Sequence, residues 1–443
     1  MAHVPLFFLY SLLLYTTILL HQRPRTWLFV TAGIAAGLIT IIRPTDIICL
    51  IIPLLYNLYN KETLRQKITL FREQYKGLAL FTVAFLLPII PQLLYWKKFT
   101  GSFLYYSYSK ETFIWNDPKI WEGLFGFKNG WFIYTPLMLL AVGGLFLYKR
   151  IRPVAIMCYL MLPVYVYVVY SWHCYNYING LGSRPMIHMY PLLAIPLTAF
   201  LQYCYSKKLL VRSIATTVVL LFVSVNLSYS LQQARGILFS EESNATYNLH
   251  MLFHMNATYN DLVMMDTEVP QPDEQDIEKM ATLGCNTHED TAAQQIPDPT
   301  GLSRSVFYLP RDQEYYPGRI WLNYSKAVFG KAQYIKCSGR FSCPDHYTYY
   351  KHLLTLHIRN KKNKKYWWGC RIDNKLGLTE PGINKREFTI DHREVNKWGK
   401  IWFYVPIPDG LEEGDQIRMD VWNIGWQPIY IDDVCMELYR NKE

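Results

Sequence analysis

The stretch LALFTVAFLLPIIPQLLYW, Leu78–Trp96, is apolar throughout apart from Thr82 and Gln92 and carries no charge. A helix rises about 1.5 Å per residue, and the hydrocarbon core of a bilayer is about 30 Å thick. A run of this length and composition therefore predicts a helix that spans a membrane.

Comparable runs fill the first half of the chain, and eight can be drawn. They are Val4–Leu20, Trp27–Ile42, Ile47–Tyr59, Leu78–Trp96, Trp131–Tyr148, Val154–Tyr170, Met189–Tyr205 and Leu209–Leu227. After Leu227 the composition becomes that of a water-soluble sequence. We therefore predict a membrane domain of about eight spans at 1–227, a polar connector at 228–305 and a separate domain at 306–443. The N-terminal run lacks the basic start and small-residue cleavage site of a secretory signal, so we expect it to stay as a span.

Basic residues alternate between the loops that connect these runs. Loops 21–25, 60–76, 149–153 and 206–212 hold 13 Lys or Arg in 34 residues, against 7 in 56 for loops 43–46, 97–130 and 171–188. Basic loops stay in the cytoplasm. We therefore predict a multi-pass protein of the plasma (inner) membrane whose C-terminal domain lies outside the cytoplasm.

Two functional classes fit the charge distribution poorly. The formal net charge is +10, but many Lys and Arg residues sit in short loop clusters, which argues against a nucleic-acid partner. No predicted span carries Asp, Glu, Lys or Arg well inside it. Ion-coupled transporters normally need ionisable groups at membrane depth, so we do not expect one here.

The polar residues that could do chemistry are concentrated in the two long outer loops, at Lys97–Pro136 and Ser171–Pro191. Both loops are rich in aromatic residues, whose faces suit sugar rings, and Arg184 offers a fork of donors that matches a phosphate. The same composition is also typical of an interfacial aromatic belt with basic residues near lipid headgroups.

Three short patterns carry a resemblance to a known family. The stretch GLFGFKNGWFIYTPLMLLAVGGL, Gly123–Leu145, resembles the loop-then-span segment of C-superfamily membrane glycosyltransferases, which include protein mannosyltransferases and aminoarabinose transferases. Gly182-Ser183-Arg184 ahead of Pro191 and Arg43-Pro44-Thr45 before another apolar run resemble further parts of it. The resemblance covers about residues 25–205.

The resemblance implies a transferase that takes a sugar from a polyprenyl-phosphate donor at the outer membrane face and passes it to an acceptor, for which a glycan is the candidate. On this reading Lys128 and Arg184 contact the donor phosphate. Asp46, Asp117 and Glu122 are the candidate acids, and His173 is a candidate general base near neutral pH. Trp172 and Tyr175 line the sugar pocket together with His173.

One departure from the family pattern concerns its catalytic acid. In the family this residue lies in an outer loop between the first two spans, whereas here that loop is HQRPR, on the predicted cytoplasmic side. We therefore expect the chain to correspond to the later part of such an enzyme, without the N-terminal catalytic part.

From Val306 onward short β-type runs alternate with turn signals. The candidate strands are Ile320–Asn323, Ala332–Gly339, Leu353–Asn360, Tyr366–Ile372, Glu387–Ile390, Ile401–Pro406, Gln416–Trp422 and Ile429–Tyr439. This number of strands favours an all-β sandwich of jelly-roll type. In the connector, helical stretches are predicted around Tyr247–Leu262 and Gln275–Met280.

The ending WNIGWQPIYIDDVCMELY, Trp422–Tyr439, resembles the last strands of sugar-binding jelly-roll modules. That resemblance implies a structural calcium ion held by Asp432 and Asp433, although both can equally be turn or strand-edge acids. Five tryptophans are candidates for stacking on sugars, and several of them must instead be core: Trp367, Trp368, Trp398, Trp422 and Trp426. Of the five cysteines in this half, Cys337 and Cys343 are the predicted disulfide.

The leading hypothesis is a membrane glycosyltransferase with a sugar-recognising β-sandwich. The alternative is a non-enzymatic, membrane-anchored protein that binds carbohydrate or assembles the cell envelope.

Overall fold

In a computed structural model the chain divides into two compact units, Met1–Tyr229 and Ser230–Glu443. The structure describes residues 2–106, 111–177, 180–240, 243–286, 295–297, 305–344, 352–361, 364–373, 375–376 and 398–442. The predicted strand Glu387–Ile390 lies outside these residues.

The first unit is helical. Its helices are α1 His3–Gln22, α2 Thr26–Ile42, α3 Ile51–Leu55, α4 Lys61–Glu73, α5 Tyr75–Thr100, α6 Ile120–Phe125, α7 Trp131–Tyr134, α8 Leu137–Leu145, α9 Tyr148–Tyr170, α10 Tyr190–Tyr205 and α11 Leu209–Ala234. Two 3₁₀ helices, Pro44–Leu50 and Arg184–Met189, precede α3 and α10.

Five helical segments within the described residues are long and apolar enough to cross a membrane: α1, α5, α9, Arg184–Tyr205 and α11. They coincide with five of the eight predicted runs. The runs at Thr26–Ile42 and Pro44–Leu55 form shorter apolar helices. The run that begins at Trp131 is divided into α7 and α8 at Thr135, because the proline that follows disfavours the helical conformation of this residue.

Two glycines on α2 let it pack closely against α5. A Cβ atom at Gly33 would lie 2.4 Å from the Phe81 carbonyl oxygen, and one at Gly37 would lie 2.3 Å from that of Phe85. Small residues four apart allow two helix backbones to approach closely. They are common at helix interfaces in membranes, where the hydrophobic effect does not drive helices together.

After the end of α11, the second unit has two short helices, α12 Ala245–Met251 and α13 Tyr259–Thr267, which fall where the sequence predicts a helical stretch. Asn244 caps α12, and Thr258 with Asp261 forms a capping box on α13. The prediction of a helix at Gln275–Met280 is wrong, since a strand begins at Ile277.

The strands are β1 Ile277–Asn286, β2 Gln295–Pro297, β3 Ser305–Leu309, β4 Ile320–Asn323, β5 Tyr334–Ser342, β6 Leu353–Arg359, β7 Lys365–Arg371, β8 Gly399–Pro406, β9 Gln416–Trp422 and β10 Ile429–Asn441; a single short helix, α14 Lys326–Phe329, follows β4. One antiparallel sheet has the order β2-β3-β10-β5-β8, with β1 also on β10, and the other has the order β4-β9-β6-β7. Both sheets contribute side chains to one core.

This architecture confirms the predicted fold class, a bundle of apolar helices followed by an all-β sandwich. The predicted disulfide is wrong. Cys285 on β1 is bonded to Cys435 on β10, at directly opposed positions of the ladder, and Cys337 and Cys343 are both buried and form no disulfide.

Candidate functional site

The helical unit contains a buried polar cluster built around Asp46. This residue lies in the 3₁₀ helix that follows α2, and His188 lies in the 3₁₀ helix that precedes α10. Asp46 Oδ2 is 2.8 Å from His188 Nδ1, and both side chains are at most 1% exposed. The Tyr165 hydroxyl of α9 lies 2.6 Å from the same imidazole nitrogen and 3.3 Å from Asp46 Oδ1.

The second nitrogen of His188 continues this chain of polar groups outward. His188 Nε2 is 3.1 Å from Nδ1 of His3, whose side chain is half-buried at the start of α1. In the tautomer that carries its proton on Nδ1, His188 faces the Asp46 carboxylate with that proton, and its Nε2 is an acceptor. In that tautomer His188 Nε2 accepts from Nδ1 of His3, which places the lone pair of His3 on Nε2.

Two arginines border the cluster. Arg43 Nε is 3.9 Å from Asp46 Oδ1, and its guanidinium donates to the Tyr177 hydroxyl at 3.3 Å. Arg184 donates to the Tyr177 carbonyl at 3.3 Å. Both arginines are near enough to interact electrostatically with His3. Burial raises the pKa of the Tyr177 hydroxyl, and the Arg43 cation opposes that shift.

Asp46 and Arg184 are therefore the two sequence-predicted site residues that the structure brings into this cluster. Sequence reasoning missed His3, His188 and Tyr165. The only signal for His188 was its position four residues after Arg184, in a segment already singled out.

The other predicted residues of the helical unit belong to a separate set of loop contacts. Trp172 packs edge-to-face on Phe113 at 4.8 Å, and the backbone N–H of His173 donates to Thr112. Asp117 pairs with Lys119 at 2.7 Å. Both Glu122 and Lys128 are exposed, and Tyr175 is half-buried. No hydrogen bond or ion pair among the described residues joins Asp46 to either of the other candidate acids.

A second candidate site lies on the open face of the β4-β9-β6-β7 sheet. Trp321, Arg418, His357 and Trp367 occupy directly paired positions on the four strands, so they form one row across the sheet. The two tryptophans at its ends are 57% and 48% exposed, respectively. They border a cleft of about 370 Å³ that Arg359, Lys365, Tyr366 and Gln416 also line.

A buried carboxylate on β9, that of Asp420, pairs with two arginines beside this row. The Asp420 side chain is buried, with Oδ2 2.6 Å from Arg418 Nε and Oδ1 2.9 Å from Arg319 Nε. Burial and the Arg418 cation lower the pKa of His357, so this imidazole is neutral at pH 7. Basic side chains outnumber acidic ones at the cleft, because Arg359, Lys365 and Arg418 line it and no acidic side chain is among the described residues that line it.

Of the predicted stacking tryptophans, only Trp367 lies on this row. Trp368 packs against the core, Trp398 lies under Arg340, and Trp422 donates to Glu314. Trp426 is 52% exposed but lies in the turn before β10. Sequence reasoning missed Trp321. This residue lies on β4, whose four residues are too few to show a clear alternation of buried and exposed side chains.

The acids proposed for calcium lie at an irregularity in the pairing of β10 with β5. Arg340 is 3.7 Å from Asp432 and 3.8 Å from Asp433, so a guanidinium already offsets part of their charge. The calcium ion stays a prediction.

No protein-family model matches the chain, and no curated protein does. Among solved structures it is similar to the CBM22-1 xylan-binding domain of Xyn10C from Paenibacillus barcinonensis, with 12% identity over 38% of this chain and 88% of that one and a TM-score of 0.21. It is also similar to the arabinosyltransferase EmbB from Mycobacterium smegmatis, with 9% identity over 98% of this chain and 52% of that one and a TM-score of 0.22. The chain spans about half the length of that arabinosyltransferase. At TM-scores this low, neither likeness carries an argument about fold or function.

Proposed function

We propose that the helical unit is a membrane glycosyltransferase that takes a sugar from a polyprenyl-phosphate donor, with the polar cluster around Asp46 acting in place of the catalytic acid that the family carries between its first two spans. The observation that supports this most is the set of adjoining side chains Asp46, His188 and His3, which Arg43 and Arg184 border. It combines a route for a proton with two cations, and glycosyl transfer from a phosphate needs both.

In the proposed reaction, an acceptor hydroxyl oxygen forms a bond to the anomeric carbon as the bond from that carbon to the donor phosphate breaks. The hydroxyl proton goes to His3 Nε2. His3 passes its Nδ1 proton to His188, and the carboxylate of Asp46 stabilises the imidazolium that results. The leaving phosphate gains negative charge, which the guanidinium groups of Arg184 and Arg43 stabilise.

We infer that this reaction takes place at the outer membrane face. Loops 43–46 and 171–188 both belong to the set with few basic residues, and they supply Asp46, Arg43, Arg184 and His188. The start of α1, which supplies His3, falls on the same side by the same rule.

The donor contact is tested with the full chain purified in detergent and supplied with polyprenyl-phosphate mannose or polyprenyl-phosphate aminoarabinose. Release of polyprenyl phosphate is measured, because this readout does not require the acceptor to be known. Arg184→Ala is expected to raise the KM for the donor about 10- to 100-fold, since a charge-assisted hydrogen bond contributes about 1.5–3 kcal/mol. Arg65→Ala, at an exposed arginine of α4, is the matched control. Equal KM values for wild type and Arg184→Ala would contradict the proposed donor site.

The sheet unit supports a second function, the binding of glycans. The row from Trp321 to Trp367 supports it, because exposed indole rings offer flat apolar faces to sugar rings while Arg418 and Gln416 offer hydrogen bonds. Since cations predominate at the cleft, we infer that acidic glycans bind more tightly than neutral ones. This function is also what a non-enzymatic, membrane-anchored protein would perform.

A further inference from the structure

Three side chains that can bind a metal ion meet at one end of the sandwich. Cys343 follows the last residue of β5, His352 precedes β6, and Asp373 comes two residues after β7. Because Leu353 pairs with Arg371 in the β6–β7 hairpin, the open end of that hairpin brings His352 and Asp373 together. β5 belongs to the opposite sheet, so the cluster joins the two layers.

The donor atoms of this cluster are close together and shielded from water. Asp373 Oδ1 is 2.9 Å from His352 Nδ1 and 3.4 Å from Cys343 Sγ, and all three ligand atoms lie within 4.8 Å of one another. Ligand atoms around a tetrahedral zinc ion are roughly 3.3–3.7 Å apart, given bonds of about 2.0–2.3 Å. All three side chains are buried.

The tautomer of His352 also suits a metal. Its Nε2 lies 2.9 Å from the carbonyl oxygen of Gln427, and a carbonyl only accepts, so Nε2 carries a proton. In the neutral imidazole the lone pair is then on Nδ1, which faces Asp373 and Cys343. Metal-binding histidines commonly donate their other N–H to a backbone carbonyl in this way. The backbone N–H of His352 holds Asp373 Oδ2 at 2.8 Å, which orients the carboxylate.

The charges balance when a divalent ion enters. With metal, a thiolate, a neutral imidazole, a carboxylate and a divalent cation sum to zero charge, and the protons that the ligands give up leave to solvent. Burial therefore does not penalise the metal-bound form, in contrast to an isolated buried charge.

We propose that Cys343, His352 and Asp373 bind a zinc ion that fastens the two sheets of the sandwich together. A thiolate and an imidazole select zinc over calcium or magnesium, which prefer oxygen ligands. The fourth position is left for water or another ligand. The zinc site is independent of the calcium prediction at Asp432 and Asp433 and of both functions proposed above.

Cobalt binding to the full chain tests this site on the wild-type protein itself. The chain is purified in detergent, stripped with chelator, dialysed and titrated with Co²⁺. We expect about one ion to bind per chain, with the near-ultraviolet absorption band of a cobalt–thiolate bond, and added zinc should abolish that band. A chain that binds Co²⁺ without this band, or not at all, would refute the site.

Matched variants then assign the thiolate. Cys343→Ala is expected to lose the band and at least tenfold in affinity, and Asp373→Asn is expected to lose at least tenfold in affinity. Cys337→Ala, at a buried cysteine of β5, should retain both the band and the affinity. Zinc should raise the melting temperature of the wild type and of Cys337→Ala but not that of Cys343→Ala. A band that survives in Cys343→Ala would show that a different cysteine binds the ion.

Discussion

Asp46 illustrates how one residue acquires chemistry from distant parts of the chain. Its position after Arg43-Pro44 made it a candidate from sequence. Its partners His188 and Tyr165 lie 142 and 119 residues further on, and His3 is contacted only through His188. A one-dimensional pattern can mark the segments that carry a site, as it did for Asp46 and Arg184. It cannot show which side chains of those segments touch, so it groups Asp117, Glu122 and His173 with Asp46, although no hydrogen bond or ion pair within the described residues joins them to it.

The row of residues on the β4-β9-β6-β7 sheet gives a prediction at the same scale. Trp321→Ala and Trp367→Ala should each weaken the binding of uronic-acid oligosaccharides to the full chain about 5- to 50-fold, because each removes a stacking surface. Calorimetric titration with acidic and neutral oligosaccharides of equal length measures the effect and the preference for charge. Trp426→Ala removes an indole of similar exposure outside the row and should bind like the wild type. Equal losses in all three variants would refute the assignment of this face.

At the scale of helices and strands, regular apolar patterning is sufficient to predict an element where one face of that element is buried. Strands β4, β6, β7, β9 and β10 begin within a residue of their predicted positions. β1 was predicted in part as a helix, because most of its side chains are at least partly exposed and it has little apolar alternation. Pairing with β10 and the disulfide to Cys435 hold it in the sheet instead, and neither is visible in a local pattern.

The contact between α2 and α5 is predicted to be intolerant of a single methyl group. Gly37→Ala would place Cβ 2.3 Å from a backbone oxygen of α5, so the helices must separate, and overpacking of this kind costs about 1–3 kcal/mol. We expect a lower melting temperature in detergent. Gly143→Ala in α8 is the control, because its Cβ would meet only the Phe200 ring, at 3.4 Å. Equal melting temperatures for both variants and the wild type would contradict the prediction.

At the scale of the whole molecule, composition alone separated a helical membrane half from a β half, and the structure has both. The disulfide was mispredicted because closeness in sequence favoured Cys337 and Cys343, whereas the ladder opposes Cys285 to Cys435 across 150 residues.

This bond closes a loop that contains most of the sandwich. Cys285→Ala with Cys435→Ala should destabilise the sheet unit by about 2–5 kcal/mol, largely by enlarging the unfolded ensemble. Urea unfolding followed by the fluorescence of the unit's tryptophans measures the loss, and reducing agent should have the same effect on the wild type. If reductant also lowers the stability of the double variant, another bond must contribute.

The central claim is that Asp46 and His188 act as one catalytic unit in the helical half. It is tested most directly by a double-mutant cycle on the rate at which polyprenyl-phosphate sugar is consumed at saturating donor, with Asp46→Asn, His188→Gln and the double variant. Each single variant should lose about 10²–10⁴-fold in rate, the usual contribution of general acid–base catalysis, and the double variant should be no slower than the worse single one. Glu73→Gln, at an exposed acid of α4, controls for loss of charge, and melting temperatures control for folding. Unchanged rates in the folded single variants, or losses that multiply in the double variant, would contradict the claim.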